Sequence, residues 1–214
     1  METRLLIIGK GDNVITMITD NLHSEGKKIK IDVFNNLGLE VKNNISHDYF
    51  EINLLTNVNI SEYNAICLGV YQPNFKKIVV EKYNLEQKKL RNIIHKGICL
   101  SAMAKLGNGL LVNSNVTIAA HTIIEDYVSI NRHVSIGHHC KIGRYSSINP
   151  GVNIGGSVQI GTGTTIGMGV TIINDIKIGN NVVVGAGSLV TKDIPDNVVV
   201  YGSPCKFIRD NNAN

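Results

Sequence analysis

Residues 129–156 read SINRHVSIGHHCKIGRYSSINPGVNIGG. Within them Ile130, Ile136, Ile142, Ile148 and Ile154 recur at every sixth position. The register continues outward, back through Ile124 and Ile118 to Val112 and forward through Ile160, Ile166, Ile172, Ile178 and Val184 to Val190. With 30 Ile and 21 Val among 214 residues, an unbroken run of this length arises by chance with a probability on the order of 10⁻⁹, so the chain contains an internal repeat.

A period of six selects the geometry. On an α-helix each six-residue step turns the side chain by about 600°, which scatters the aliphatics over several faces, whereas an even step along strands keeps them on one face. The residue two before each aliphatic is small or β-branched, as at Val134, Cys140, Ser146 and Val152, and suits the same inward side. A glycine often follows the aliphatic, as at Gly137, Gly143, Gly155 and Gly161. A bend with positive φ is expected there. Short strand and bend in alternation make a parallel β-helix of hexads, with three hexads per triangular coil of 18 residues. Residues 112–190 then supply between four and five coils. The spacing leaves the hand of the helix open.

Residues 1–100 follow different rules and hold six of the 21 glycines. Arg4–Ile8 reads as a strand ending at Gly9-Lys10-Gly11, followed by a helical pattern over Asp12–Ser24 and a second strand over Lys30–Phe34. Ala65–Leu68 before Gly69, a helical stretch from Asn74 to Tyr83, and a short strand over Asn92–Ile94 continue the alternation. The pattern predicts a small, mostly parallel α/β sheet of Rossmann-like type over residues 1–94. The β-helix is expected over 95–194 and a C-terminal segment, with a disordered tail, over 195–214.

Composition excludes several classes. Lys plus Arg number 21 against 17 Asp plus Glu, a net charge of +4 with no basic cluster, which gives no footprint for nucleic acid. No apolar run approaches the ~20 residues of a membrane span, and the run after Arg4 is shorter than the ~7–15-residue core of a signal peptide, so a cytoplasmic protein is expected. The four cysteines are far apart with no CxxC pair, which signals neither a disulfide framework nor zinc. Adjacent His138 and His139 at a bend point to different faces, and no metal is expected.

Gly9-Lys10-Gly11-Asp12-Asn13 follows a strand and opens a helix, where backbone N–H groups can hold phosphate. The motif lacks the full G-x-G-x-x-G and also reads as a plain β-to-α turn. His121 and His139 are one coil apart and should stack. Asn113, Asn131 and Asn149 share that spacing and predict an asparagine ladder.

At Ile94-His95-Lys96-Gly97-Ile98-Cys99-Leu100-Ser101, where the α/β half enters the repeat, the sequence resembles the bacterial sugar acetyltransferases. These comprise N-acetyltransferases of nucleotide-linked 4-amino-4,6-dideoxysugars and O-acetyltransferases of sialic acid. Asn131…Ile136-Gly137-His138-His139-Cys140-Lys141-Ile142-Gly143, Pro150-Gly151…Ile154-Gly155-Gly156 and Tyr201-Gly202-Ser203-Pro204-Cys205-Lys206 carry the same resemblance. It implies a homotrimer of left-handed prisms, acetyl-CoA between neighbours, and a nucleotide sugar on the N-terminal domain in surface polysaccharide biosynthesis. His138 matches the general base, a task suited to imidazole's ordinary pKa of ~6.5. Asn131 matches a residue near the base and acetyl group, with His139 beside it. The resemblance places Ser147 near the acetyl carbonyl, the Gly156 amide at the thioester, and Ala186, Gly187, Gly202, Pro204 and Lys206 along the rest of CoA. Gly9, Lys10, Gly11, Asn13, Asn35, Asn36 and Gly69 would meet the nucleotide sugar.

Five positions depart from the family pattern. His139 replaces the acidic residue that usually follows the base, Asn13 and Ser147 stand where histidines are common, and Asn35-Asn36 replaces an acidic pair near the nucleoside. The resemblance favours transfer to the C4 amine. O-acetylation of sialic acid and a non-catalytic trimeric scaffold are the alternatives.

Overall fold

The computed structural model describes residues 4–9, 11–26, 29–34, 52–88 and 90–211. Lys10, Asn35 and Asn36 lie outside them. In the first half, β1 (Arg4–Ile8), β2 (Lys30–Phe34), β3 (Ile52–Leu55) and β4 (Ala65–Leu68) form a parallel sheet in the order β3-β2-β1-β4. β1 is central and its apolar residues alternate between two cores, as a strand covered on both faces requires. Leu5 and Ile7 pack with Ile15, Ile18 and Leu22 of α1 (Asp12–Ser24), while Leu6 and Ile8 pack with Val79 and Val80 of α2 (Pro73–Lys82). A helix thus lies on each side of the sheet. The edge strand β3 was not expected from the sequence.

From Ile93 onward the chain is a triangular prism of two-residue strands in three parallel columns. The first face stacks Ile93–Ile94, Leu111–Val112, Ser129–Ile130, Ser147–Ile148, Thr165–Ile166 and Val183–Val184. The second runs from Cys99–Leu100 to Leu189–Val190 and the third from Lys105–Leu106 to Lys177–Ile178. Partners are one 18-residue coil apart, as in Ser135↔Asn153 and Ile142↔Ile160. The hexad aliphatics and the small residues two before them form one continuous core. This is the β-helix expected from the period, extended by one coil at its N-terminal end. Ile93–Ile94 pairs with Leu111–Val112 and not with the N-terminal sheet, correcting the sequence reading of that strand.

The corners also correct the reading of the glycines. Positive φ falls two residues beyond them, at every sixth residue from Asn115 to Gly187, including His121 (61°), His133 (57°) and His139 (58°). Gly137 is needed for a different reason: a Cβ there would lie 2.6 Å from the backbone carbon of Gly155 in the next coil. Contact between coils, and not backbone freedom, demands that glycine. The asparagine ladder is short. Asn113 reaches Asn131 at 3.5 Å, but Asn149 donates to the Ile166 carbonyl at 2.8 Å.

Past Val190 the coil shortens, and Val199 pairs with Val183 only 16 residues back. Val198–Gly202 then turns into an antiparallel hairpin with Cys205–Asp210. No helix among the described residues is long and apolar enough to cross a membrane.

Candidate active site

In a parallel sheet of order β3-β2-β1-β4 the connections diverge on either side of β1, so the β1 and β4 loops open a crevice at their carboxyl ends. Gly9 and Gly69 make that crossing possible. Gly9 has φ +103°, and a Cβ on Gly69 would lie 2.2 Å from the Gly9 carbonyl oxygen. The Gly11 N–H donates to the Gly69 carbonyl at 3.1 Å, and Gly11, which has no side chain, caps α1 with no side-chain hydrogen bond. A cleft of about 670 Å³ opens there. It brings Gly11, Asn13 and Gly69, expected at the substrate, together with Asn131 of the prism. Its walls combine apolar side chains such as Met17 and Phe75 with the neutral amides of Asn13, Gln72, Asn131 and Asn149.

The wall shared with the prism is held by two residues that sequence reasoning missed. The Tyr71 hydroxyl donates to the Ile148 carbonyl at 2.9 Å, so its oxygen is left to accept from the Asn131 side chain. Burial raises the Tyr71 phenol well above its ordinary value. Lys76 of α2 is 1% exposed and donates to Ser129 Oγ (3.2 Å), the Ser146 carbonyl (3.0 Å) and Ser147 Oγ (3.0 Å). Burial holds its amine well below the ordinary lysine value. Ser147 Oγ in turn donates to the Tyr71 carbonyl at 2.6 Å. Ser147 is therefore sealed between the two halves of the chain, 1% exposed, and does not line an open groove near an acetyl carbonyl. No local signal marks Lys76, because its partners lie more than 50 residues away. Tyr71 could have been found, since it closes the loop after β4 at the divergence point.

His138 occupies a different edge. Asn131 sits at the corner between the first and second faces, and His138 at the corner between the second and third. His138 Nδ1 lies 3.1 Å from His139 Nδ1, with the two rings nearly perpendicular at 83°. His139 stacks on His121 as its spacing predicted, with ring centres 4.7 Å apart. Gly156, one coil below, makes room for this ring: a Cβ there would lie 2.7 Å from His138 Cε1. Its N–H is donated to Asn174 Oδ1 at 2.9 Å, so it is not a free amide for a thioester.

Ala186 and Gly187 share the Asn131 edge, three coils further on, about 14 Å at ~4.8 Å per coil. The hairpin turn from Gly202 through Pro204 to Lys206 lies beside them, with the Gly202 N–H donating to Ser188 Oγ at 3.2 Å. Within one chain, then, Asn131 and the residues expected along CoA line one edge, and His138 and Gly156 another.

The family pattern of the bacterial transferase hexapeptide, six repeats, matches residues 121–156 and 157–192. Both matched stretches lie within the prism. Hexapeptide prisms of this type are left-handed β-helices. Solved structures share its whole architecture, including the α/β half. Perosamine N-acetyltransferase from Caulobacter crescentus, solved with CoA and GDP-perosamine, is 22% identical and superimposes over 96% of this chain and 97% of its own, with a TM-score of 0.84. The acetyltransferase domain of PglB from Neisseria gonorrhoeae FA1090, solved with acetyl coenzyme A, is 24% identical over 97% and 100%, also at 0.84. WeeI from Acinetobacter baumannii AYE is 16% identical over 96% and 100%, at 0.82. Likeness at these identities is likeness of fold, and at that level the resemblance to bacterial sugar acetyltransferases holds along nearly the whole chain. None of the curated protein sequences matches the chain.

Proposed function

We propose that the protein is an acetyl-CoA-dependent N-acetyltransferase acting on the C4 amine of a nucleotide-linked 4-amino-4,6-dideoxysugar. The observation that carries this reading is the cleft at the β1/β4 divergence, where the glycine-capped start of α1 and Asn131 of the prism line one cavity. Diphosphate suits the helix start. The apolar and amide walls suit a deoxy sugar, which offers a methyl group and few hydroxyls. The likeness to a sugar N-acetyltransferase solved with CoA and a nucleotide-linked aminosugar supports the same reading.

His138 takes the amine proton at Nε2 as the nitrogen attacks the thioester, and returns it to the departing thiolate. A neutral amine is already a good nucleophile, so the protein contributes chiefly alignment and proton transfer. Because Asn131 and His138 line different edges, the site is completed by a second copy of the chain. The domains divide the work, with the α/β half before Ile93 holding the nucleotide sugar, the prism from Ile93 holding the base, and the hairpin within 195–214 closing on CoA at Gly202, Pro204 and Lys206. Gly11, Asn13 and Gly69 form the phosphate end of the cleft, and Gly9 shapes the turn that leads into it. Lys10, Asn35 and Asn36 remain assigned to the nucleotide by resemblance alone.

The test is product analysis after incubation with acetyl-CoA and the linked aminosugar. One acetyl group stable to hydroxylamine, and hence an amide, supports the reading. A hydroxylamine-labile ester, or acetylation of free sialic acid in preference, moves the assignment to an O-acetyltransferase.

A further inference from the structure

The family pattern places a carboxylate after the base, and this chain places His139 there. The Nδ1 atoms of His138 and His139 lie 3.1 Å apart, a hydrogen-bond distance. One proton must lie between them, and which ring owns it decides whether His138 can work as a base. We propose that His139 is a positioning residue that accepts the His138 Nδ1–H, fixing His138 in the tautomer whose Nε2 is free to take the amine proton. The inference rests on the acetyltransferase reading for its catalytic consequence, but its geometric content stands without it.

Each imidazole nitrogen has one role per tautomer, and the hydrogen bond at one nitrogen sets the state of the other. With the shared proton on His138, its Nε2 has a lone pair directed away from His139. With it on His139, His138 carries its own proton at Nε2 and cannot accept another. The reaction favours the first arrangement. As the C–N bond forms and the C–S bond breaks, the amine proton moves to His138 Nε2 and then to the thiolate. While His138 is an imidazolium its Nδ1–H is a charge-assisted donor, and His139 Nδ1 is the acceptor in place. His139 holds its own proton on Nε2 throughout.

The fold fixes the His138–His139 pair in three ways. The φ of 58° at His139 belongs to the left-handed corner that recurs through the prism, so the side-chain direction is set by the coil. Its ring stacks at 33° on His121, one coil above. Gly156 below leaves space for the His138 ring. The same edge continues with Ser157 and Asp175, and among the described residues no carboxylate is hydrogen-bonded to either imidazole.

The corner also provides the controls. Glycine is at ease at positive φ, so His139→Gly removes the ring without backbone strain. Asparagine tolerates the same conformation and places Oδ1 where Nδ1 stood, so His139→Asn keeps an acceptor. The primary readout is long-range ¹H–¹⁵N correlation on histidine-labelled protein at about pH 8, above the ordinary imidazole pKa. His138 is assigned by comparison with His138→Gln. The wild type and His139→Asn are expected to show His138 protonated at Nδ1, and His139→Gly to lose that preference. In parallel, His139→Gly lowers kcat about 10–100-fold with KM for acetyl-CoA little changed, a part of the ~10²–10⁴-fold that a positioned base supplies. His139→Asn recovers most of it. A wild-type His138 protonated at Nε2, or a His139→Gly protein with wild-type tautomer and kcat, overturns the proposal. If no acceptor is acetylated, the acetyltransferase reading fails while the tautomer measurement still decides this one.

Discussion

His138 is exposed at a corner whose neighbours are another histidine and a glycine that gives its ring room. Removing the ring should therefore cost little in folding and much in proton transfer. His138→Ala is expected to lower kcat roughly 10²-fold or more with the affinity for acetyl-CoA nearly intact. Steady-state kinetics beside a CoA binding isotherm check this, and a larger loss in His139→Ala would show the base to be misassigned by one residue. The stacking of His121 on His139 was legible because 18-residue spacing alone places them. Ser147 was not, because its partners Tyr71 and Lys76 come from a segment that shares no periodicity with the prism.

At the scale of elements, the strands of β1, β2 and β4 and both helices follow from local patterning. Strand β3 and the pairing of Ile93–Ile94 depend on partners distant in sequence, and were missed or misassigned. The two kinds of prism glycine predict opposite outcomes. Gly137→Ala drives a Cβ into the next coil and should destabilise by about 1–3 kcal/mol. Gly163 has φ +68° with no atom within 4 Å of the place a Cβ would take, so Gly163→Asn should stay within about 0.5 kcal/mol of wild type. Denaturant titrations of the pair measure both.

Lys76 supplies a pH-dependent contrast. Burial lowers its folded value below the ordinary 10.5, so the unfolded chain binds more protons in the window between the two. Stability from this group therefore rises with pH through that window and is complete above 10.5. Lys76→Met removes the dependence. The gain of the Met variant over wild type should be greatest near neutral pH and shrink toward pH 10.5, as read from paired melts across pH.

For the whole molecule, one chain brings the N-terminal cleft to Asn131 but leaves His138 on the next edge, so the proposed site needs a second copy. A closed ring of three prisms would set the Asn131 edge of each chain against the His138 edge of the next, giving three equal sites. Light scattering at micromolar concentration should give the mass of three chains, and a monomer would leave the site incomplete. The architecture was legible because hexads and βαβ alternation are local signals. The wall that Tyr71 and Lys76 build against the prism was not, because those residues meet Ile148, Ser129 and Ser147 only in the fold.

The most direct measurement is release of CoA thiol from acetyl-CoA across a panel of dTDP-, UDP- and GDP-linked 4-amino-4,6-dideoxysugars, the free aminosugars, and sialic acid. At least one linked aminosugar should show a kcat/KM well above that of its free form, with the matching nucleoside diphosphate competing. Equal rates for linked and free sugars, or activity on sialic acid alone, would contradict it.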